Sequence, residues 1–383
     1  MSSSRPIRIA IAGGGTGGHV LPALSVIEEL ERRGVEMELL WIGSKTGVEG
    51  SEARARGVPF RAVSTGKFRR YPDFRTVTDA VRVPLGVPQA WWILRSFRPD
   101  VIFSTGGYVS TPSVVGGTRM APVLSHEQTA VLGLATRLNG RFVDVQALTF
   151  ETSLALTKDR SKTVVTGNPV RGSLKEGSRE SGLQRFGFRS DMPVLFVTGG
   201  ARGSSPLNER IEAILDDLLE HLQILHQTGA TTDNPDFERL SARRQALPAE
   251  TRDRYRVVER IRDEMADVYA MADLMLARAG AGTVAEIAYL GKTAILIPLP
   301  GSGGNEQLRN AEALSSIDGA VVIDQQDASP TRLREVILDL AANPERRGQI
   351  GANASRAGRP DAAARIADQL LALAEQRRAR SNR

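Results

Sequence analysis

Residues 12–22, AGGGTGGHVLP, contain five glycines within the six positions 13–18, followed directly by a histidine. An isoleucine-rich apolar run, 7–12, precedes this stretch, and leucine and isoleucine residues recur at helical spacing after it as far as Gly34. A strand, a glycine loop and a helix in this order predict the first unit of a Rossmann-like domain.

The same order recurs in the second half of the chain, where PVLFVT (193–198) leads into GGARGS (199–204) and then into a helical pattern. Other apolar runs of strand length alternate with helical stretches in both halves. The sequence therefore predicts an α/β fold with two Rossmann-like domains, each on a parallel sheet. The polar segment 168–192 is predicted to be a linker and 229–254 a long surface excursion. An amphipathic helix from about residue 360 to 376 precedes a basic tail.

The composition is that of a folded globular protein, with 383 residues of which 41% are hydrophobic and 25% charged. Cysteine is absent, which excludes disulfides and thiolate metal sites and is consistent with a reducing compartment. The first apolar run is too short for a secretory signal, and no stretch reaches the roughly 20 apolar residues of a membrane span. We therefore expect an intracellular protein. The net charge of +6 suits an anionic substrate, a nucleic acid or an acidic membrane surface.

The glycine loop has several candidate ligands. It formally satisfies G-x-G-x-x-G, but the second strand ends in WIGSK (41–45) without the acidic residue that would hold a dinucleotide ribose. A Walker A loop is excluded because no Gly-Lys-Ser or Gly-Lys-Thr follows. One or two glycines would serve a tight turn, whereas five leave backbone N–H groups open to a ligand. His19, expected directly before the helix, is a candidate for proton transfer or for a hydrogen bond without catalysis.

Five stretches, in an order that spans the chain, resemble the MurG family, the UDP-N-acetylglucosamine transferases that convert lipid I to lipid II in peptidoglycan synthesis. They are GGGTGGHVLP (13–22), GGYVSTP (106–112), HEQT (126–129), TGNPVR (166–171) and RAGAGTVAEIA (278–288). The resemblance implies a GT-B fold, with two Rossmann-like domains facing across a cleft and a C-terminal helix crossing back to the first. It also implies an acceptor and membrane-facing domain, 1–167 with 358–383, and a UDP-sugar donor domain, 168–357.

The reaction implied by this resemblance is inverting and needs neither a cofactor nor a metal ion. The C4 hydroxyl of the muramoyl sugar of lipid I would attack the anomeric carbon of UDP-N-acetylglucosamine, and UDP would leave. His19 or Glu127 would assist proton transfer, although a buried structural role for Glu127 is an alternative. The residues implied to contact the acceptor are Gly14, Thr16, Gly17, Gly18, Tyr108 and Thr129.

The implied donor site follows a glycine-containing loop, 278–282, with the next helix expected to begin at Thr283. A helix N-terminus carries about half a positive charge and free N–H groups, which suits a leaving diphosphate. Glu286 would accept hydrogen bonds from the ribose diol, although Thr283 and Glu286 also form the pattern of a capping box. Gln307 would contact the sugar hydroxyls. The remaining residues assigned to the donor are Arg171, Ala201, Arg202, Arg262 and Gly282.

Some positions depart from the family pattern. Thr129 stands where the family usually has asparagine after HEQ, and Ala201 and Arg202 stand in GGARGS where it usually has GGSxGA. Arg262 stands where it often has isoleucine after phenylalanine. These departures leave open a related UDP-sugar transferase with another donor or glycolipid acceptor, a UDP-sugar 2-epimerase, and a non-catalytic scaffold that binds a nucleotide sugar.

A basic and aromatic segment is predicted to face the membrane, since the family's acceptor carries a polyprenyl chain. Its members are Lys67, Phe68, Arg69, Arg70, Tyr71, Phe74, Arg75, Arg82, Val83, Leu85, Val87, Trp91 and Trp92. The alternative is an ordinary helix with a buried apolar side, and Pro84 and Pro88 are expected to interrupt any long helix. We expect UDP-N-acetylglucosamine, lipid I and an anionic membrane surface as partners, and no nucleic acid. The expected location is the cytoplasm, with peripheral binding to the inner face of the bacterial cell membrane.

Overall fold

The structure, a computed structural model, describes residues 5–15, 17–66, 74–230 and 235–381, without the side chains of 74–83 and 381. It divides into two units, Met1–Arg171 with Arg359–Arg383, and Gly172–Gly358. Each unit contains one parallel sheet with helices, which confirms the predicted α/β class with two Rossmann-like domains.

The first unit holds a seven-stranded sheet. Its strands are β1 (Ile7–Ala12), β2 (Met37–Gly43), β3 (Phe60–Ala62), β4 (Val101–Ser104), β5 (Val123–Glu127), β6 (Val145–Leu148) and β7 (Thr163–Val165), in the spatial order β3-β2-β1-β4-β5-β6-β7. Its helices are α1 (Gly17–Arg32), α2 (Glu49–Ala55), α3 (Phe74–Phe97), α4 (Thr111–Gly117), α5 (Leu134–Asn139) and the C-terminal helix (Ala362–Ser381). Short 3-10 helices span Glu151–Leu156 and Arg160–Lys162.

Both faces of this sheet are covered, which explains why β1 is apolar and buried from Ile9 to Ala12. On one face, α1 and the C-terminal helix form a core with the sheet through Val20, Leu24, Ile27, Ile366 and Leu370. On the other face, α3 and α4 contribute Ala90, Leu94 and Val114 to a second core. The C-terminal helix therefore belongs to the core of the first unit.

The second unit holds a six-stranded sheet. Its strands are β8 (Val194–Thr198), β9 (Gln223–Gln227), β10 (Tyr255–Val258), β11 (Leu274–Ala277), β12 (Ala294–Leu296) and β13 (Val321–Val322), in the order β10-β9-β8-β11-β12-β13. Its helices are α6 (Arg179–Phe186), α7 (Ser205–Glu212), α8 (Leu215–Leu219), α9 (Asp236–Gln245), α10 (Ala249–Arg252), α11 (Met265–Met271), α12 (Ala281–Leu290), α13 (Glu306–Ser315), α14 (Pro330–Ala342) and α15 (Pro344–Ala357). A 3-10 helix spans Gly172–Glu176.

Two segments that the sequence predicts to be irregular are folded into the second unit over most of their length, namely 172–192 and the described part of 229–254. Within 168–192, α6 packs closely on α11, because a Cβ on Gly182 would lie 2.6 Å from Asp267 O. Within 229–254, α9 and α10 form and bury Leu240 and Leu247 to 0% and 2% exposure. The boundary between the units, at Arg171–Gly172, lies inside the predicted linker, but the rest of that segment is folded. The prediction of a surface excursion was wrong for the described part of 229–254, since two buried leucines in a polar segment give too weak a periodic signal.

The prediction that Pro84 and Pro88 interrupt the helix was also wrong, because α3 continues through both prolines. Each proline removes a backbone N–H from the helix, but close packing against α4 offsets this loss. A Cβ on Gly116 of α4 would lie 2.9 Å from Val87 O, so glycine lets the two helices approach. In the described part of the chain, no helix combines the length and the apolar character required to cross a membrane.

Candidate active site

The glycine loop leads from β1 into α1 at the carboxyl end of the first sheet. Gly14 and Gly15 have φ angles of +153° and +85°, a conformation that favours glycine. Because α1 begins at Gly17, Gly17 and Gly18 form its first turn, where N–H groups lack intrahelical acceptors. A Cβ on Gly17 would meet no atom within 4 Å, so the backbone is accessible there. Thr16 lies outside the described residues.

A buried carboxylate, that of Glu49 at the start of α2, fixes this loop. It is 0% exposed and accepts hydrogen bonds from Gly15 N at 2.8 Å, Ser44 N at 2.6 Å and Ser44 Oγ at 2.7 Å. A Cβ on Gly14 would lie 2.2 Å from Glu49 Cδ, so this position requires glycine. The N–H of Gly15 is therefore used within the protein, so the N–H groups that the loop can offer to a ligand are those of other residues.

The sequence predicts His19 directly before the helix, but the residue lies in the first turn of α1. Its Nδ1 is 3.0 Å from both Thr105 O and Gln128 Oε1. Its Nε2 lies beside Gly107, since a Cβ on that glycine would be 3.1 Å from it. The ring is partly exposed, so a ligand can reach it.

Tyr108 covers the glycine loop. A Cβ on Gly15 would lie 3.6 Å from the Tyr108 hydroxyl and 3.7 Å from a ring carbon. Tyr108 directly follows Gly107, which contacts His19. The structure thus brings together three predicted features: the glycine loop, the tyrosine and the histidine.

Glu127, the other candidate for proton transfer, is 4% exposed and fully engaged in hydrogen bonds. Its Oε1 accepts from Thr129 N at 3.2 Å and lies 2.9 Å from Thr129 Oγ1. Its Oε2 accepts from Gly133 N at 3.0 Å and Thr136 Oγ1 at 2.5 Å. This geometry fits the structural alternative for Glu127 and also occupies Thr129, so contacts of either residue with a substrate stay predictions.

In the second unit, α12 begins at Ala281, with Gly280 as its N-cap. Gly282 and Thr283 therefore lie in the first turn, and the predicted start at Thr283 was two residues late. A Cβ on Gly282 would meet no atom within 4 Å, so this N-terminus is sterically open. Thr283 is not the N-cap, and the capping box does not form. Instead, Tyr269 Oη donates a hydrogen bond to Glu286 Oε2 at 2.5 Å.

Arg278 carries a buried positive charge beside this N-terminus. It is 7% exposed and donates to Ser204 Oγ at 3.0 Å, Ile297 O at 3.1 Å and Gln325 Oε1 at 2.6 Å, all uncharged groups. Burial, with a smaller effect of the nearby Arg210, lowers the pKa of Arg278 to about 10. The guanidinium therefore remains charged at neutral pH and joins the loop 199–204 to the loop before α12.

The other predicted donor residues lie in loops or near helix ends. Ala201 and Arg202 are exposed in the loop 199–204, and Arg262 is exposed ahead of α11. Gln307, in the first turn of α13, accepts a hydrogen bond from Leu299 N through Oε1 at 2.9 Å. Arg171 ends the first of the two segments of the first unit and is partly exposed.

Residues outside the predicted set also shape these two regions, namely Glu49, Gln128, Tyr269 and, as a buried charge, Arg278. The position of Gln128 could have been inferred from the sequence, because side chains two residues apart lie on the same face of an extended segment. Gln128 therefore shares a face with His126. Glu49 gives no such signal, since its contacts with Gly15 cross 34 residues of sequence.

The described part of the predicted membrane-facing segment is mainly the second half of α3. Trp92 and Leu85 are exposed by 67% and 55%. The rings of Trp91 and Trp92 pack edge to face with centroids 4.9 Å apart, and Arg95 lies 5.4 Å from the Trp91 ring centroid. The remaining predicted members lie outside the described residues or side chains: Lys67, Phe68, Arg69, Arg70, Tyr71, Phe74, Arg75, Arg82 and Val83.

Both halves of the chain match known glycosyltransferase domains. Residues 9–147 match the glycosyltransferase family 28 N-terminal domain, and residues 194–366 match the glycosyltransferase family 28 C-terminal domain. With two Rossmann-like units, these matches define a glycosyltransferase of the GT-B class.

Curated relatives narrow this class. A relative from Halalkalibacterium halodurans is 34% identical to this chain, and one from a Thermoanaerobacter species is 35% identical. Both are named UDP-N-acetylglucosamine--N-acetylmuramyl-(pentapeptide) pyrophosphoryl-undecaprenol N-acetylglucosamine transferase. Each alignment covers 94% of this chain and 98% of the relative. The crystal structure of Acinetobacter baumannii MurG is 28% identical, with a TM-score of 0.71 over 96% of this chain and 99% of that chain. The chain belongs to the MurG family.

A more distant structural neighbour shares the fold alone. The structure of a putative UDP-N-acetylglucosamine 2-epimerase from Listeria monocytogenes has a TM-score of 0.68 over 95% of both chains, with 15% identity. At this identity the likeness carries no statement about activity.

Proposed function

We propose that this protein transfers N-acetylglucosamine from UDP-N-acetylglucosamine to the C4 hydroxyl of the muramoyl sugar of lipid I, giving lipid II for peptidoglycan synthesis. The observation that carries the proposal is the identity of 34% over 94% of the chain to a relative named for this transfer. The transfer inverts the anomeric centre: the C4 oxygen forms the new bond to the anomeric carbon as the bond to the UDP oxygen breaks.

On the acceptor side, His19 is the group that we assign to the proton of the C4 hydroxyl. Its partly exposed ring lies between Gly107 and the glycine loop, and imidazole accepts protons near neutral pH. The first turn of α1, at Gly17 and Gly18, offers N–H groups to the acceptor diphosphate. Glu127 is less suited to accept the proton, because Thr129 N, Gly133 N and Thr136 Oγ1 already donate hydrogen bonds to its carboxylate.

On the donor side, the N-terminus of α12 and the charge of Arg278 support a site for the UDP diphosphate. Both favour the negative charge that develops on UDP as the glycosidic bond breaks. Glu286 accepts from the ribose hydroxyls in this proposal, with Tyr269 holding one of its oxygens. Gln307 contacts the sugar, and the loop residues assigned to the donor are Arg171, Ala201, Arg202, Arg262, Gly282 and Thr283.

We also propose that the protein binds peripherally to the anionic inner face of the bacterial cell membrane. Support comes from the exposure of Trp92 and Leu85 on α3, together with Leu134 and Leu138 on α5, which are exposed by 43% and 47%. Exposed apolar and aromatic side chains beside arginines suit the interface between lipid and water.

The test is incubation of the purified protein with UDP-N-acetylglucosamine, with and without a short-chain lipid I analogue. UDP release and the product mass are followed together. We expect release that depends on the analogue and a product heavier by one N-acetylhexosamine. UDP release or epimerised donor without the analogue would instead support a hydrolase or 2-epimerase, and UDP binding without any turnover would support a scaffold.

A further inference from the structure

A row of polar groups in the first unit connects His19 to the backbone at Gly167. His126 Nε2 lies 2.9 Å from Gly167 O, Gln128 Nε2 lies 3.1 Å from His126 Nδ1, and Gln128 Oε1 lies 3.0 Å from His19 Nδ1. His126 and Gln128 are 0% and 2% exposed. We call these four groups the polar row. Because water does not reach its middle, each hydrogen position follows from the neighbouring groups.

The orientation of the Gln128 amide is fixed by acceptors on one side. Its Nε2 lies 2.8 Å from Thr105 O and 3.3 Å from His126 O. A carbonyl oxygen only accepts hydrogen bonds, so the nitrogen end of the amide must lie on this side, where one of its two N–H groups donates to Thr105 O. The reversed amide would place oxygen against oxygen in a buried site. Gln128 Oε1 therefore faces His19.

The protonation of His126 follows in the same way. Its Nε2 faces Gly167 O and must carry a hydrogen, whereas its Nδ1 accepts from the Gln128 amide. Burial lowers the pKa of His126 to about 4, so the ring is neutral at neutral pH, as this arrangement requires. The neutral ring thus holds the amide in place by accepting one of its two N–H groups.

At the end of the row, His19 Nδ1 faces two oxygens, Gln128 Oε1 and Thr105 O, each at 3.0 Å. Both accept hydrogen bonds, so Nδ1 carries the hydrogen and the lone pair is on Nε2, beside Gly107. We infer that Gln128 is a positioning residue that holds His19 in the Nδ1–H tautomer, with Nε2 ready to receive a proton. The inference rests on the proposed role of His19 in the transfer.

Gln128 acts on His19 in two ways. Its oxygen accepts directly from Nδ1, and its nitrogen donates to Thr105 O, which fixes the second acceptor. When Nε2 takes a proton, the Nδ1–H bonds stay in place, so the ring need not turn. Free histidine favours the Nε2–H tautomer, and the polar row reverses this preference.

Nuclear magnetic resonance tests the tautomer directly. Histidine is labelled with ¹⁵N, and a long-range ¹H–¹⁵N spectrum distinguishes the two ring nitrogens; the chain has only four histidines. Loss of signals in His19→Asn assigns His19. The spectrum is recorded for the wild-type protein, for Gln128→Met, and for Gln146→Met as the matched control. Gln146 is also a buried glutamine of the first unit, 6% exposed, but it donates to Ser125 O.

We expect pure Nδ1–H tautomer at His19 in the wild type and in the control, and an added Nε2–H population in Gln128→Met. With the lipid I analogue, kcat of Gln128→Met should fall about tenfold while KM changes less than about twofold, the effect of one lost hydrogen bond on a reacting group. An Nε2–H tautomer in the wild type would overturn the inference, as would an unchanged tautomer in a folded Gln128→Met. If Gln128→Met fails to fold, Gln128→Asn, which is too short to reach His19, takes its place.

The two proposals fail separately. The wild-type spectrum needs no substrate, so an Nδ1–H tautomer without transferase activity would support the positioning role and reject the proposed function. Transferase activity together with an Nε2–H tautomer of His19 would support the proposed function and reject the positioning role.

Discussion

Replacement of Glu49 by glutamine tests whether this buried carboxylate fixes the glycine loop. The wild-type oxygens accept from three donors, two of them backbone N–H groups, on Gly15 and Ser44. An amide offers one oxygen in place of two. If that oxygen stays with Ser44, the new NH₂ group faces the N–H of Gly15, and two donors oppose each other in a site that is 0% exposed.

The magnitude follows from these contacts. One hydrogen bond to a charged acceptor is lost and one buried N–H is left without an acceptor, a change that costs about 2 kcal/mol. For a cooperative unit of about 200 residues, this lowers the melting temperature by about 4–8 °C. The glycine loop would also loosen, so we expect KM for the lipid I analogue to rise more than KM for the donor.

The assay is thermal unfolding followed by tryptophan fluorescence. All three tryptophans, at positions 41, 91 and 92, belong to the first unit, so the signal reports that unit alone. Glu31→Gln is the control, because Glu31 is 56% exposed and 3.9 Å from Arg56, and surface pairs of this kind contribute about 0–1 kcal/mol. If Glu49→Gln melts within 1 °C of Glu31→Gln, the carboxylate does not fix the loop and the reasoning is refuted.

Three further predictions concern the other unit and the surface. Arg278→Met should weaken UDP binding about tenfold in calorimetry, while Arg278→Lys, which keeps the charge, should lose less; equal losses would contradict an electrostatic role. Burial lowers the pKa of His226 to about 3, whereas the unfolded chain has the ordinary value of about 6.5. As the pH falls from about 6.5 toward 3, the unfolded chain binds this proton and the folded chain does not, so the free energy of unfolding decreases by about 1.4 kcal/mol per pH unit. His226→Gln should weaken this pH dependence, as measured by urea unfolding. Trp92→Ser should weaken binding to anionic vesicles about fivefold, whereas Ile317→Ser, at a 36% exposed site in the second unit, should leave it unchanged.

The features that the sequence predicts correctly depend on local chemistry. Both glycine loops stand between a buried strand and a helix, and glycine is needed where φ is positive, as at Gly15 and Gly200. The apolar runs 9–12 of β1 and 194–197 of β8 indicate strands buried on both faces. Such signals lie within a few residues of one another, so a single sequence contains them in full.

The features that it predicts wrongly depend on partners far along the chain. The helix α3 continues through Pro84, where it packs on α4. Glu49 holds the glycine loop because Gly15, 34 residues away in sequence, lies beside it in space. The role of Glu127 stays a prediction, and the sequence could not show that its carboxylate is hydrogen-bonded by Thr136 on α5. Periodicity and motif spacing do not contain these contacts.

The two glycine loops also differ in a property that their sequences do not show, the sign of the charge buried beside each. In the first unit, the three donors around Glu49 stabilise a carboxylate, which is 0% exposed. In the second unit, Arg278 places a cation beside the loop 199–204, and its hydrogen bonds to the residues that the structure describes go to uncharged groups. Negative charge that develops on a leaving diphosphate is stabilised by the second arrangement and opposed by the first. This difference supports the assignment of the leaving group to the second unit.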